Sequence, residues 1–281
     1  MAESSTLRVQ DVRAILRLVG ECRDLGDDRL AWRGHLLAEL ARLADADLGM
    51  TGEMAGCRAQ RPIDLGAAEW GWENGFDRNL YIEQMKRMHA DPNYSPAMNL
   101  YFSRLAREDG VCHSRRELIP DRAWYSSHDY NSIHLPYGVD HILWCFRSIP
   151  RVVSDENSGI VLIRSSGRRD FRPRDRTLIR EAHAALTPLI GGALARFDEP
   201  CPRQLTPRVR QVLACLLEGD GDKQIASRLR LSVHTVNEYT KVVYRHFGVN
   251  GRLELLARWV RRGWGARLPG KIDGVSEAAR P

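Results

Sequence analysis

His234, Asn237, Glu238, Lys241 and Arg245 recur at i, i+3, i+4, i+7 and i+11, a spacing that gathers them on one face of a helix. Asn and Lys can donate to base edges, and Glu can accept from the cytosine amino group. A polar face of this length can lie along a major groove. The same composition also describes an ordinary solvated helix face. The surrounding elements decide between the two, because a groove-reading helix must be held firmly from its other side.

Those elements are legible. Ser232 is placed to cap a helix over Val233–Phe247, whose inner stripe is Val236, Tyr239, Val243 and Phe247. Upstream, Thr206 can cap a first helix with Pro207 at its opening position, where a missing N–H costs nothing. Val209, Val212, Leu213, Leu216 and Leu217 repeat along its apolar face, and Gly219 and Gly221 end it. Asp222 is expected to cap a second helix, Lys223 to Leu229, with Ile225, Ala226 and Leu229 inward, and Arg230 and Leu231 turn the chain. A last helix carries Leu255, Leu256, Trp259 and Val260, a stripe that serves its own core first and a partner second. This is the layout of a DNA-reading helix-turn-helix. Lys223, Thr235 and Arg245 are candidate phosphate contacts, and Asn237, Glu238 and Lys241 are candidates for base readout, with His234 on the same face.

The stretch resembles the LuxR-type helix-turn-helix of bacterial transcription regulators. The resemblance rests on Leu205-Thr206-Pro207-Arg208, Val212-Leu213, Lys223-Gln224-Ile225-Ala226, Leu229, Leu231-Ser232, His234-Thr235-Val236, Tyr244-Arg245, Phe247-Gly248-Val249 and Arg252. They run over about sixty of the 281 residues in the family's order and without a gap. It implies that Val233–Phe247 is the recognition helix and that Arg252–Arg262 is a fourth helix often used for dimerisation. It further implies a homodimer on double-stranded DNA, with RNA polymerase a further candidate partner. The chain departs from the family at Val209, where Glu is usual, at Asn237, where a basic residue is common, at Tyr239, where His is common, and at Gly251, where Ser usually stands. Asn237 and Glu238 differ enough from the family's base contacts that no operator sequence is inferred.

The net charge of +6 is modest, but its distribution is not uniform. From Cys201 onward lie 15 of the 42 Lys and Arg residues but only seven of the 36 Asp and Glu residues. The C-terminal part alone is basic, as contact with phosphates requires. A chain of 281 residues with 43% hydrophobic and 28% charged content has room for two globular domains. The six cysteines form no C-x-x-C pair, which points to reduced thiols rather than a disulfide frame or a zinc site. The N-terminus lacks a basic-then-apolar leader pattern, and no apolar run reaches a membrane span, so a cytoplasmic location without membrane contact is expected.

Residues 1–198 read as an α+β domain of helices around a small antiparallel sheet. Helices are expected over Leu7–Leu18, Arg29–Leu43, Leu80–Met88 and Pro96–Ala106. Asp45–Met54 reads as a turn entering a strand, Pro62–Gly75 as loop, Cys112–Leu118 as a short strand, and His141–Ser148 and Gly159–Ser165 as two further strands. Arg174–Phe197 reads as one long helix kinked at Pro188. The segments Trp124–Ser148 and Ser158–Leu186 are similar, in texture and order, to the second half of a GAF-type sensory domain. That resemblance implies a fold that binds small molecules or cofactors, or serves only as a dimer platform. Residues 199–266 form the DNA-binding domain, and 267–281 read as a disordered tail.

The aromatic cluster Trp124, Tyr125, Tyr130 and Trp144 could line a pocket for an unidentified small-molecule effector, or simply fill a core. His89, His113, His128, His134 and His141 do not fall at metal-ligand spacings, so no metal and no cofactor are expected. Cys112-His113 offers a thiol beside an imidazole, against which a buried inert thiol has to be weighed. No nucleophile elbow, phosphate loop, dinucleotide fingerprint or zinc-protease motif occurs, and an alternating βα receiver pattern is absent, so the chain reads as a non-enzyme. Two functions are consistent with these features. One is a DNA-binding regulator controlled by an N-terminal sensory domain, and the other is a constitutive DNA-binding dimer whose N-terminal domain docks another protein.

Overall fold

The computed structural model describes residues 5–57, 59, 63–72, 87, 91, 94–150 and 155–262. The chain divides into two compact units. The first is assembled from residues up to 23, 30–190 and 196–198, and the second from 24–29, 191–195 and 199 onward.

The first unit opens with α1 (Val9–Asp24) and α2 (Ala31–Leu43), followed by β1 (Leu48–Ala55) and β2 (Ile63–Trp70). Then come α3 (Pro96–Leu105), β3 (Cys112–Ser114), the single turns α4 (Arg115–Leu118) and α5 (Asp121–Tyr125), β4 (Val139–Ser148), β5 (Glu156–Ser165) and α6 (Pro173–Leu186). The five strands form one sheet in the order β2-β1-β5-β4-β3, every neighbouring pair antiparallel.

Strand alternation sends β4 side chains to two layers. Ile142, Trp144 and Phe146 pair with Ile163, Val161 and Gly159 and join Tyr101, Phe102 and Leu105 of α3 in one core. Gly159 is required there, because a Cβ would stand 2.6 Å from the Phe146 ring. Leu143 and Cys145 pair with Leu162 and Ile160 on the opposite layer, which α2 and α6 cover.

Three readings need correction. Residues 63–70 are not loop but an edge strand. Its sequence, IDLGAAEW, has a single β-branched residue and is incompletely buried, so pairing with β1 rather than local propensity makes it a strand. Cys112–Leu118 is a strand for only three residues. Ser114 then opens a helical turn, its N–H donating to Glu117 at 2.9 Å. The long helix does not continue to Phe197. It ends at Leu186, passes through a 3-10 turn over Thr187–Leu189, and meets Gly191 at φ 78°. Pro188 removes a helical donor and crowds the preceding turn, and the following glycine leaves the helical basin, so the helix stops rather than kinks.

The expected helix over 80–88 lies outside the described residues except for Arg87, and the tail over 267–281 lies outside them entirely. Among the described residues, no helix is long and apolar enough to cross a membrane.

Candidate nucleic-acid interface

Among its described residues, the second unit contains four α-helices, α7 (Pro207–Glu218), α8 (Asp222–Leu229), α9 (Val233–Phe247) and α10 (Arg252–Arg261). Their apolar stripes meet in one core built on Val212, Leu213, Ile225, Val236, Val243, Phe247, Leu255 and Trp259. The Phe247 and Trp259 rings meet edge to face at 5.7 Å.

Local chemistry sets the ends of these helices. Thr206 accepts from the Val209 N–H at 3.4 Å and Ser232 accepts from the Thr235 N–H at 3.0 Å, so both expected caps form. Asp222 does not cap α8. Gly221 occupies the cap position, and the Gln224 side chain reaches back to its N–H at 2.7 Å. Arg230 turns the chain between α8 and α9 with φ 52°, in the left-handed region.

The roles of three arginines that satisfy helix-end carbonyls did not stand out in the sequence. Arg252 donates to the Leu216 and Asp220 carbonyls, each at 2.7 Å, and so satisfies the end of α7. Arg208 donates to the Leu229 carbonyl at the end of α8, and Arg258 to the Phe247 carbonyl at the end of α9 at 2.5 Å. Orphan carbonyls and the negative end of the helix dipole both favour a guanidinium there. The only signal in the sequence is an arginine, and nothing local identifies which carbonyl it reaches.

With its inner face held, α9 exposes the other. His234, Asn237, Glu238, Lys241 and Arg245 are exposed, Thr235 is half-buried at the N-terminal turn, and Lys223 is exposed on α8. Ser232 Oγ and Thr235 Oγ1 lie 2.8 Å apart. Lys241 donates to Glu238 at 2.8 Å, and that hydrogen bond holds the Glu238 carboxyl below its ordinary value. Two apolar side chains omitted from the sequence reading, Val233 and Val242, are also exposed on this helix. Tyr239, assigned to the inner stripe, is only partly buried against the core.

In the first unit, three of the four aromatic candidates converge. The Trp124 ring, 0% exposed, lies 5.4 Å from Tyr130, and Tyr125 lies 5.0 Å from Tyr130. Trp124 and Tyr125 meet at Asp140. The Trp124 indole donates to Asp140 Oδ1 at 2.9 Å, the Tyr125 hydroxyl to Oδ2 at 2.8 Å, and Arg115 to Oδ1 at 3.0 Å. Burial alone would raise the Asp140 carboxyl, but the Tyr125 and Trp124 hydrogen bonds and the Arg115 charge outweigh it and hold the group below its ordinary value. Trp144 packs instead against Tyr101, 5.9 Å away, within the core under α3. Neither Asp140 nor Arg115 stood out in the sequence, since their partners come from three separate elements.

Residues 203–259 match the family of bacterial regulatory proteins, luxR family. Among solved structures, the chain is similar to Escherichia coli SdiA at 15% identity, covering 90% of this chain and 97% of that one with a TM-score of 0.37. It is similar to the VqsR LBD domain from Pseudomonas aeruginosa at 14% identity, covering 62% and 95% with a TM-score of 0.40. It is also similar to the VqmA dimer of Vibrio cholerae at 16% identity, covering 79% and 86% with a TM-score of 0.23. No curated protein sequence matches the chain.

Proposed function

Starting from a chain that carries a LuxR-type helix-turn-helix domain over 203–259, we propose that it is a homodimeric transcription regulator reading duplex DNA through α9. The observation that carries this reading is the division of α9 into a face locked by Val236, Val243 and Phe247 and an exposed polar face. In this reading Lys223, Thr235 and Arg245 contact phosphates, while His234, Asn237, Glu238 and Lys241 face base edges. Val233 and Val242 suit thymine methyl groups. The residues from 199 to 266 act as the reading head.

The stripe Leu253, Leu256, Ala257 and Val260 on α10 supports dimerisation. It falls at i, i+3, i+4 and i+7, and Leu253 and Val260 are 85% and 72% exposed. The N-terminal part, residues 1–198, is the sensory domain and is GAF-like. An antiparallel sheet with helices packed on it supports that resemblance. Trp124, Tyr125 and Tyr130 around Asp140 are its candidate ligand contacts, with Trp144 behind them. The unit controls the head by setting the spacing of the two copies, and RNA polymerase is the downstream partner.

Selection of random duplexes by the purified chain, followed by fluorescence anisotropy across a salt series, tests the reading. A two-fold repeated motif with half-sites about one helical turn apart is expected. Val260→Glu should give a monomer by sedimentation and lose the paired half-sites. Recovery of no motif, with equal binding to all duplexes, would overturn it.

A further inference from the structure

The pairing of β3 with β4 sets Cys112 directly opposite Cys145. The adjoining pair, Val111 and Phe146, is joined by the Phe146 N–H donating to the Val111 carbonyl at 3.2 Å. Hydrogen-bonded and non-bonded pairs alternate along an antiparallel ladder, so the cysteines occupy a non-hydrogen-bonded position, where facing Cα atoms approach to about 4.5 Å. A disulfide spans Cα separations of about 4.4–6.8 Å, so the register itself allows one here. Cys112 Sγ donates to the Arg176 carbonyl of α6 at 3.5 Å.

The rest of the cluster is equally specific. Both cysteines face α6, where His183 Nδ1 lies 3.4 Å from Cys145 Sγ, and Ser158 Oγ lies 3.0 Å from His183 Nε2 and orients the ring. Cys145 is 1% exposed, whereas Cys112 is half-buried and lines a surface recess of about 250 Å³ with His113, Glu117, Arg176 and Arg180. The facing Cys112 and the nearby His183 hold the Cys145 thiol well below its usual range against the effect of burial, while Cys112 is raised. The other cysteines behave oppositely. Burial pushes Cys22 and Cys57 up to about 12 and raises Cys201 and Cys215 as well.

We propose that Cys112 and Cys145 form a dithiol that hydroperoxides oxidise to a cross-strand disulfide, with Cys112 as the sulfur reached from solvent and His183 as the residue that positions Cys145. The Cys112 thiol loses its proton to water. The Cys112 thiolate attacks the outer peroxide oxygen, the O–O bond breaks, and ROH leaves with a proton from water. Cys112 is then a sulfenic acid. The Cys145 thiolate displaces its hydroxyl, which takes a proton from solvent and leaves as water, and the S–S bond forms. Two electrons pass from the sulfurs to the peroxide. Cys112 thiol, Cys145 thiolate, ROOH and one solvent proton become disulfide, ROH and water. The bond ties the three-residue edge strand β3 to its neighbour β4.

The full-length reduced protein is treated with stoichiometric cumene hydroperoxide, alkylated and mapped by peptide mass spectrometry. The expected result is a linked pair of peptides containing Cys112 and Cys145, a loss of two hydrogens from the intact mass, and reversal by dithiothreitol. This should precede any change at Cys22, Cys57, Cys201 or Cys215. In Cys145→Ser, which keeps the side-chain shape, Cys112 should accumulate a sulfenic acid trappable by dimedone. In His183→Asn, provided its melting temperature is retained, disulfide formation should slow by about tenfold at neutral pH and recover as pH rises, because the thiolate is then formed by solvent. If His183→Asn does not fold, the wild-type map and Cys145→Ser decide. Overoxidation of Cys112 with Cys145 left reduced, or earlier reaction at the remaining cysteines, would overturn the proposal.

Discussion

Lys241 donates to Glu238 at 2.8 Å across one turn of α9, with both side chains exposed. The pair partly cancels its own charge on the face proposed to meet DNA. If Lys241 reads a guanine, Lys241→Ala should weaken specific binding by about 1–3 kcal/mol and relax preference at one position. An equal loss on every duplex would make it a phosphate contact. Glu238→Gln should raise affinity for unrelated duplexes at low salt and lose cytosine preference at one site, both read by anisotropy.

Arg252 donates to the Leu216 carbonyl of α7, which also accepts from the Gly219 N–H at 3.3 Å, and to the Asp220 carbonyl just beyond the helix. Arg252→Ala removes both guanidinium hydrogen bonds in a half-buried setting, and the second unit should lose about 1.5–3 kcal/mol. Arg252→Lys should restore only part, since an ammonium cannot reproduce the guanidinium fork. Urea unfolding followed by Trp259 fluorescence measures both. A loss indistinguishable from zero in Arg252→Ala would mean that water satisfies the helix end equally well.

Asp11 accepts from Arg174, which ties α1 to α6. That hydrogen bond, opposed by burial and helped by the Arg8 N–H, holds the Asp11 carboxyl below its ordinary value of 3.8. A carboxyl lowered in the folded state contributes stability that is fully present above its unfolded value, and this is lost as pH falls through the folded one. Stability of the first unit should therefore drop between about pH 4 and the lower folded value. In Asp11→Asn, urea midpoints should change less over that acid range. Parallel acid limbs in the two proteins would show that Asp11 plays no part.

Trp144 was grouped with the candidate ligand contacts, yet it sits against Tyr101 in the core. Trp144→Ala should cost about 3–5 kcal/mol, as other large core truncations do. A cost below about 1 kcal/mol would instead show that the ring borders an open cavity. Trp124→Phe keeps the ring but removes the indole N–H that Asp140 accepts. It should leave DNA affinity intact while altering any thermal shift produced by a metabolite extract.

The DNA-binding part was legible because its determinants are local. Thr206, Ser232, Gly219 and Gly248 mark helix ends through their own side-chain oxygens or left-handed backbone. The 3–4 spacing of Val212, Leu216, Val236 and Val243 then names the buried faces. Helices close their hydrogen bonds within four residues, so a single sequence records them almost completely. The strands of β4 and β5 were visible for a related reason, as dense apolar runs bounded by turn residues. The same signal failed for β2, whose strand character comes from β1.

What only the tertiary structure decided are the relationships between distant positions. Cys112 and Cys145 are separated by four short helical segments, and only the β3–β4 register puts them face to face. Asp140 draws its donors from α4 and α5, Arg252 reaches back to α7, and His183 meets Cys145 from the next layer. Composition and spacing determine which segments are helix or strand and which faces are apolar. Pairing register and layer packing determine which polar atoms meet, and a one-residue slip would reverse every one of those meetings in the sheet.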